Sequence, residues 1–331
     1  MRRISIGLSW ASREGVPDFV EQAKVADDSG VSAIFTGENW RRDAFTPATI
    51  LAYETNNVQI GTSIVNVHSR AAGALAMHFG TLEELSGGRM IIGLGTSSAN
   101  VTEGFAGVPY GRALRRMREY VEILNMLLAS RPLQYQGELF ELTRGFRLDI
   151  PLPREHTPIY IASMTPRSVK QTAEIADGWM PIELPRSSWK AQTDAFYDAA
   201  RAAGRDPSTL TIRTATPIIV TDDPEPEYER IRGTVAFYVA RMGDAYYRNF
   251  VRMGHEAMAD AVRAAWAEGS SAAGTAAVPA AFAREMGFAG TAEACAEHMD
   301  EMAEAGFNLF SVSVKEPDPR KRATIFRTLA G

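Results

Sequence analysis

Several apolar, strand-like runs of the sequence end in polar side chains whose types suit proton transfer and the binding of polar ligands. The run VQIGTSIV, 58–65, is followed by Asn66 and His68, and an earlier run is followed by Glu38 and Asn39. Glutamate and histidine are common general acids and bases in enzymes. These positions are therefore the first candidates for catalysis.

Other strand-like runs also end in hydroxyls, indoles or a carboxylate. The residues at these ends are Ser9, Trp10, Trp40, Thr96, Ser97, Ser98, Ser163, Met164, Thr165 and Glu183. Together they are typical of a site that holds a planar, polar ligand. The residues alone leave a second interpretation open, in which Asn66, Ser69 and Arg70 only cap the helix that follows them.

The elements that must position these residues alternate between strand and helix along the chain, in about eight pairs. Strands that are apolar on both faces and are separated by helices predict a parallel sheet covered by helices. A doubly wound sheet usually has a glycine-rich fingerprint after its first strand. The GLGTSSANVTEG stretch at 93–104 has Ser98 where the third glycine belongs. The sequence therefore favours a closed (β/α)8 TIM barrel.

The predicted domain is a single TIM barrel over residues 1–331, with 209–220 as one strand and a helical insertion over 224–290 near the C-terminal strands. The insertion is too long for a βα loop, and we expect it to cover a substrate pocket or to form a dimer contact. Active sites of such barrels lie at the C-terminal ends of the strands. The polar strand ends should therefore meet at one face.

Composition argues against several classes of partner. The net charge is −5 and the pI is near 5.7, which gives no reason to expect nucleic acid or an anionic membrane as a ligand. Cys295 is the single cysteine and the five histidines are scattered, so neither a disulfide nor a metal site is expected. No apolar run reaches the roughly 20 residues of a membrane span. We expect a cytoplasmic protein that acts on a small molecule.

Four stretches of the sequence resemble the bacterial luciferase-like flavin and deazaflavin oxidoreductases. They are QIGTSIVNVHSR, GTLEELSGGRMIIGLGTSS, GVPYGRALRRMREYVEILNMLL and PIYIASMTPRSVKQTAEIADGWMPI. GENWRRDAFTP, VTEGFAGVPYGR and FYVARMGDAYYRNFVRMG resemble the branch that uses coenzyme F420. The resemblance implies a TIM barrel, hydride transfer by a deazaflavin, and a homodimer. FMN is the alternative cofactor.

The same resemblance implies a set of cofactor contacts. A non-prolyl cis peptide at Ser63–Ile64 would back the central ring of the deazaflavin, followed by Val65 and Asn66. Residues 162–165 match the phosphate loop of the family. The remaining expected members of the cofactor and substrate sites are Gly95, Thr96, Ser98, Ala162, Ser163, Met164 and Thr165 for the cofactor, and Ser9, Trp10, Trp40 and Glu183 for the substrate.

Glu38, Asn39 and His68 are the predicted catalytic residues, with Glu38 as the preferred acid or base. Related F420-dependent glucose-6-phosphate dehydrogenases have a histidine base where this chain has Asn39. The methylenetetrahydromethanopterin reductases have a glutamate where this chain has Ser9. Neither of these specific reactions is therefore expected, and we expect reduction of an activated C=C, C=N or C=O bond.

Three other functions stay open on the sequence alone. The first is an FMN-dependent monooxygenase of the luciferase-like type. The second is a TIM-barrel glycoside hydrolase, which would use Glu38 and Glu183 as its pair of carboxylates. The third is a non-catalytic protein that binds F420.

Overall fold

The computed structural model describes residues 1–38, 41–214 and 218–331. Its strands are β1 (Ile4–Gly7), β2 (Ala33–Thr36), β3 (Gln59–Thr62), β4 (Val65–Asn66), β5 (Met90–Gly95), β6 (Tyr135–Gln136), β7 (Glu141–Leu142), β8 (Ile159–Ala162), β9 (Gly178–Met180), β10 (Thr211–Ile212), β11 (Ile218–Val220), β12 (Phe288–Gly290) and β13 (Phe310–Val314).

The helices alternate with these strands over most of the chain. They are α1 (Val16–Asp27), α2 (Phe45–Glu54), α3 (Ala72–Leu85), α4 (Ala99–Gly104), α5 (Ala113–Leu128), α6 (Pro166–Ile175), α7 (Trp189–Ala202), α8 (Glu225–Arg241), α9 (Asp244–Arg252), α10 (Glu256–Glu268), α11 (Ser271–Ala277), α12 (Ala280–Met286), α13 (Ala292–Glu304) and α14 (Pro319–Ala330).

The main sheet is parallel throughout and curled. Its order is β10-β9-β8-β5-β3-β2-β1-β13-β11-β12, with β4 beside β5, and a separate antiparallel pair is formed by β6 and β7. Just beyond β10, Arg213 forms an isolated parallel bridge with Leu309, which directly precedes β13. The N–H of Thr214 also donates to the carbonyl of Leu309 at 2.8 Å. The predicted parallel α/β architecture is confirmed.

Most strands of the main sheet are buried on both faces, as their apolar sequences require. One face contributes to a small cluster inside the curl, formed by Ala33, Phe35, Ile91, Tyr160, Met180 and Leu309. The other face packs against the helices in the largest core cluster of the protein. The interior of the curled sheet is thus filled with side chains, and any ligand must bind at one end of it.

Two predicted strands are each divided in the structure. The run 58–65 forms β3 and β4 with Ser63 and Ile64 between them, and 209–220 contributes both β10 and β11. Strand β10 pairs with β9, whereas β11 pairs with β12 and β13. The single strand predicted over 209–220 was therefore wrong.

Five helices, α8 to α12, lie between β11 and β12. They share a core cluster of their own, which contains Tyr228, Val235, Phe250 and Phe282. That this segment is an insertion over the mouth of a barrel stays a prediction. Across the described parts of the chain, the helices are all too short or too polar to span a bilayer.

Candidate active site

A cavity of about 920 Å³ lies at the C-terminal ends of the parallel strands. Most of the residues predicted for the site from the sequence line it together: Glu38, Ser63, Ile64, Asn66, Gly95, Thr96, Ser98, Ala162, Ser163, Met164, Thr165 and Glu183. They come from β2, β3, β4, β5, β8 and β9, because parallel strands end at the same edge of a sheet. A volume of this size accommodates a large organic ligand.

Four predicted residues do not line this cavity. Ser9 is exposed, and Trp10 packs edge-on against Phe19 with their ring centroids 4.9 Å apart. Val65 and His68 are buried behind the cavity wall. Asn39 and Trp40, the remaining two predictions, lie outside the described residues.

The wall between β3 and β4 has an unusual hydrogen-bond pattern. The Ser63–Ile64 peptide bond is cis, as the sequence resemblance implied. At this break the side chain of Thr62 replaces a backbone partner: its hydroxyl donates to the carbonyl of Gly93 and accepts from the N–H of Gly93, both at 2.9 Å. The Thr62 hydroxyl therefore joins β3 to β5 where the regular ladder is interrupted.

We expect Thr62→Val to lower the free energy of unfolding by about 2 kcal/mol, because it leaves the buried N–H and carbonyl of Gly93 without their partner. Valine has nearly the same shape, so the loss would be due to the hydroxyl. Urea titration of the variant measures the effect. Thr62→Ser is the matched control because it keeps the hydroxyl, and an equal loss in both variants would contradict the assigned role.

One end of the cavity is lined by hydroxyl groups and by the start of α6. Thr165 is the N-cap of α6, and its side chain and that of Ser168 cap each other's backbone N–H groups at 3.2 and 3.0 Å. After the neighbouring strand β5, the Ser98 hydroxyl is buried and has no hydrogen-bond partner among the described residues. A helix N-terminus attracts anions, and an unpartnered buried hydroxyl is costly without a ligand. This end suits the phosphate or another polar part of a ligand.

His68 has a structural environment. The side-chain oxygen of Asn66 accepts the backbone N–H of His68 at 2.9 Å and lies 3.2 Å from its Nδ1. The ring stacks on Tyr110 with a centroid distance of 5.2 Å. Burial and then the nearby charge of Arg116 lower the pKa of His68, so the ring is neutral at pH 7. His68 does not itself line the cavity, and its catalytic role stays a prediction.

Glu38 lies on the cavity wall, but its carboxylate is held by Arg70. The two Nη groups of Arg70 donate to the two carboxylate oxygens of Glu38 at 2.7 and 2.8 Å. The guanidinium also lies over the ring of Phe45, 5.0 Å from its centroid. A bidentate pair of this kind fixes orientation. Glu38 thus ties the end of β2 to the segment before α3, which suits positioning better than proton donation.

Among the carboxyl groups that line the cavity, that of Glu183 has the most strongly shifted pKa. It follows β9, and burial raises its pKa to about 7. Within the described ranges its carboxyl group has no ion pair or hydrogen bond, while Tyr238 of α8 and Tyr246 of α9 line the same cavity. Its φ of +48° lies in the left-handed region. A carboxyl group with this pKa can donate and accept a proton near pH 7.

Among the wall residues that sequence reasoning missed are Tyr110, Arg213, Tyr238 and Tyr246. The tyrosines come from helices and loops whose approach to the strand ends depends on tertiary packing. A local signal did exist for Arg213, since it is a charged residue within the otherwise uncharged run TLTIRTATPIIV. Such an interruption in a buried strand indicates a polar interior position.

The family model described as luciferase-like monooxygenase matches residues 5–309, and the chain belongs to this family. A Mycobacterium tuberculosis protein named as a coenzyme F420-dependent oxidoreductase is 31% identical over 286 residues, which is 78% of this chain and 80% of the relative.

Solved structures share the fold of this chain. The coenzyme F420-dependent tetrahydromethanopterin reductase of Methanopyrus kandleri superposes with a TM-score of 0.81 at 20% identity, covering 99% of this chain and 97% of the other. An F420-dependent secondary alcohol dehydrogenase, solved with an F420-acetone adduct, gives a TM-score of 0.76 at 21% identity, with 99% and 98% coverage. At these identities the likeness establishes the shared fold.

Proposed function

We propose that this protein is an F420-dependent oxidoreductase that transfers a hydride between the deazaflavin and a small organic substrate, in the direction of reducing an activated C=C, C=N or C=O bond. The observation that carries the proposal is the cavity at the strand ends, where polar groups from β3, β4, β5 and β8 form one continuous wall. The names of the relatives support F420 as the cofactor. The proposed scaffold is a closed (β/α)8 barrel.

The residues of the wall fit such a cofactor. Ser63 and Ile64 would support one face of the ring system, and Gly95 leaves space for the Ile64 side chain, because a Cβ there would lie 2.6 Å from Ile64 Cδ1. The Ser98 hydroxyl and the α6 N-terminus at Thr165 would hold its polar arm. When bound, the reduced deazaflavin supplies a hydride. The protein residues would bind and orient the deazaflavin, and they would donate or accept the proton that accompanies the hydride.

The proton step is assigned to Glu183, which follows β9 and lines the same cavity. As hydride adds to the carbon of the C=X bond, the neutral carboxyl group of Glu183 would give its proton to the other atom of that bond and become a carboxylate. Solvent then returns the proton. Glu38 is less suitable because its carboxylate forms an ion pair with Arg70. His68 is less suitable because it is buried and does not line the cavity.

Two alternatives are less well supported. An FMN-dependent monooxygenase is compatible with the family description, and comparing the affinities for F420 and FMN separates it from the proposal. A glycoside hydrolase would need Glu38 free to act with Glu183, but Arg70 engages both oxygens of Glu38. A homodimer and a cytoplasmic location stay predictions.

The proposal is tested by titrating the purified protein with F420 and separately with FMN, following fluorescence. We expect F420 to bind at least ten-fold more tightly than FMN. We also expect Ser98→Ala to weaken F420 binding about five-fold, the value of one hydrogen bond of about 1 kcal/mol.

Ser29→Ala is the matched control for this titration. The Ser29 hydroxyl is also buried without a partner among the described residues, but Ser29 does not line the cavity. It should bind F420 as the wild type does. Tighter binding of FMN would support the monooxygenase alternative, and binding of neither cofactor would refute the proposal.

A further inference from the structure

We propose that the guanidinium of Arg213 is the binding group for a carboxylate of the substrate, so that the substrates of this protein are unsaturated or carbonyl-containing carboxylic acids. The inference deepens the proposed function and rests on it for the reaction. The site itself is argued from the surroundings of Arg213.

Arg213 projects into the interior of the curled sheet and lines the cavity. Its Nε donates to the hydroxyl of Ser5 at 3.1 Å, and its Nη2 donates to the hydroxyl of Ser311 at 2.8 Å. Its Cζ lies 4.4 Å from the ring centroid of Phe35. The side chain is therefore held in one orientation by groups on β1, β2 and β13.

These contacts leave the charge and part of the hydrogen-bonding capacity of Arg213 unused. Its Nη1 group makes no hydrogen bond to any residue that the structure describes, and no described carboxylate pairs with the guanidinium. Burial lowers the pKa of Arg213 to about 10, which keeps it charged at pH 7. Buried charges in proteins are normally paired, because an isolated one is costly. The missing counter-charge indicates an anionic ligand.

The sheet order places Arg213 opposite Ser63 and Ile64, the part of the wall proposed to support the ring of the cofactor. Strand β10 lies four steps from β3 through β5, β8 and β9. In the other direction, the path from β3 runs through β2, β1 and β13. It reaches Arg213 by the bridge to Leu309, again in four steps. A ring supported by Ser63 and Ile64 would thus have its free face toward Arg213. That side of the cavity belongs to the substrate.

The chemistry of the reaction fits a carboxylate at this position. A carboxylate paired with a guanidinium withdraws electrons from an adjacent C=C or C=O bond. Hydride adds to the C=C carbon remote from the carboxylate and moves negative charge toward it, or adds to the carbonyl carbon and moves the charge onto the carbonyl oxygen beside it. A fixed guanidinium forms two parallel hydrogen bonds with a carboxylate and stabilises that charge. Glu183, beyond the adjacent strand β9, would supply the proton.

The inference is tested with benzoate and benzamide, which have the same shape but differ in charge. Calorimetric titration of the full-length protein, with and without bound F420, should show benzoate binding at least ten-fold more tightly than benzamide. Arg213→Gln should abolish this preference, and Arg213→Lys should retain part of it. Arg3→Gln is the matched control: Arg3 contacts Thr211 of β10 but does not line the cavity, so the preference should persist.

Ser311→Ala provides a second test, because it keeps the guanidinium of Arg213 and removes one of the two hydrogen bonds that orient it. It should weaken benzoate binding several-fold and leave benzamide binding unchanged, even if Arg213→Gln fails to fold. Equal binding of the two probes, or a preference that survives in Arg213→Gln, would overturn the inference.

The carboxylate that Arg213 binds could belong to the substrate or to F420, and the F420 affinity of the variant distinguishes the two. Unchanged F420 affinity in Arg213→Gln supports a substrate site, whereas a ten-fold loss would assign Arg213 to the cofactor and overturn the inference. If F420 does not bind the wild type, the proposed function fails, but the two probes still decide the role of Arg213 in the cofactor-free protein.

Discussion

Replacing Glu183 by glutamine is expected to lower kcat for substrate reduction by about 100- to 10,000-fold, the usual contribution of a general acid. Glutamine keeps the size and polarity of the side chain but has no acidic proton. In the wild type, kcat should fall as the pH rises through about 7, because only the protonated carboxyl group of Glu183 donates. The glutamine variant should lack this pH dependence. Stopped-flow oxidation of reduced F420 over pH 5 to 9 measures both effects.

Glu38→Gln is the control for this experiment, since it removes the other cavity glutamate, which is paired with Arg70. We expect it to retain the decline near pH 7. If Glu38→Gln loses the decline and Glu183→Gln retains it, the proton donor is Glu38 and the assignment to Glu183 is wrong.

The pH dependence of folding stability tests the raised pKa of Glu183 without a substrate. Its pKa is about 7 in the folded protein, above the ordinary value of 4.5, so the folded state binds this proton more tightly than the unfolded chain does. The resulting stabilisation is present at pH 4 and is lost as the pH rises through 7. The Tm of Glu183→Gln relative to wild type should therefore be higher at pH 8 than at pH 5.

Gly93→Ala is expected to lower the free energy of unfolding by about 3 kcal/mol or more, at the upper end of the cost of overpacking a core. A Cβ at this position would lie 1.6 Å from the carbonyl oxygen of Thr62. That oxygen belongs to the backbone of β3 and cannot rotate away as a side chain would. Denaturant titration with circular dichroism measures the loss.

Gly73→Ala is the matched glycine substitution. Gly73 lies in α3, and apart from its chain neighbours and the adjoining helix backbone, no atom lies within 4 Å of the position that a Cβ would take there. Alanine favours helix more than glycine does, so this variant should gain up to about 1 kcal/mol. A mild effect of Gly93→Ala, similar in size to that of Gly73→Ala, would mean that β3 and β5 can separate at low cost.

The alternation of strands and helices was predictable from the sequence, because burial on both faces makes a parallel strand continuously apolar. The break within 209–220 was not predicted, and the break within 58–65 was implied by the family resemblance and not by the apolar pattern. An apolar run shows that a segment is buried, but it does not identify the strand beside it. The division of 58–65 depends on the Thr62 hydroxyl bonding to Gly93, which is 31 residues further along the chain.

The part of the cavity wall formed by strand ends was predictable for a similar reason, since the ends of parallel strands meet at one edge. The chemical roles of its residues were harder to assign. Glu38 and Arg70 are 32 residues apart in sequence, and nothing local to either residue indicates that they pair. The raised pKa of Glu183 arises from burial that only the assembled cavity produces. Charge pairing and desolvation are properties of the tertiary structure.

The left-handed backbone at Glu183 lowers folding stability at the position whose carboxyl group is proposed to transfer the proton. A residue with a side chain costs roughly 1 kcal/mol or more in this conformation, whereas glycine adopts it readily. Selection for heat resistance alone would therefore favour glycine at 183 and yield a sturdier protein without the carboxyl group. Thermostabilising this protein by consensus or by library screening should accordingly hold position 183 fixed.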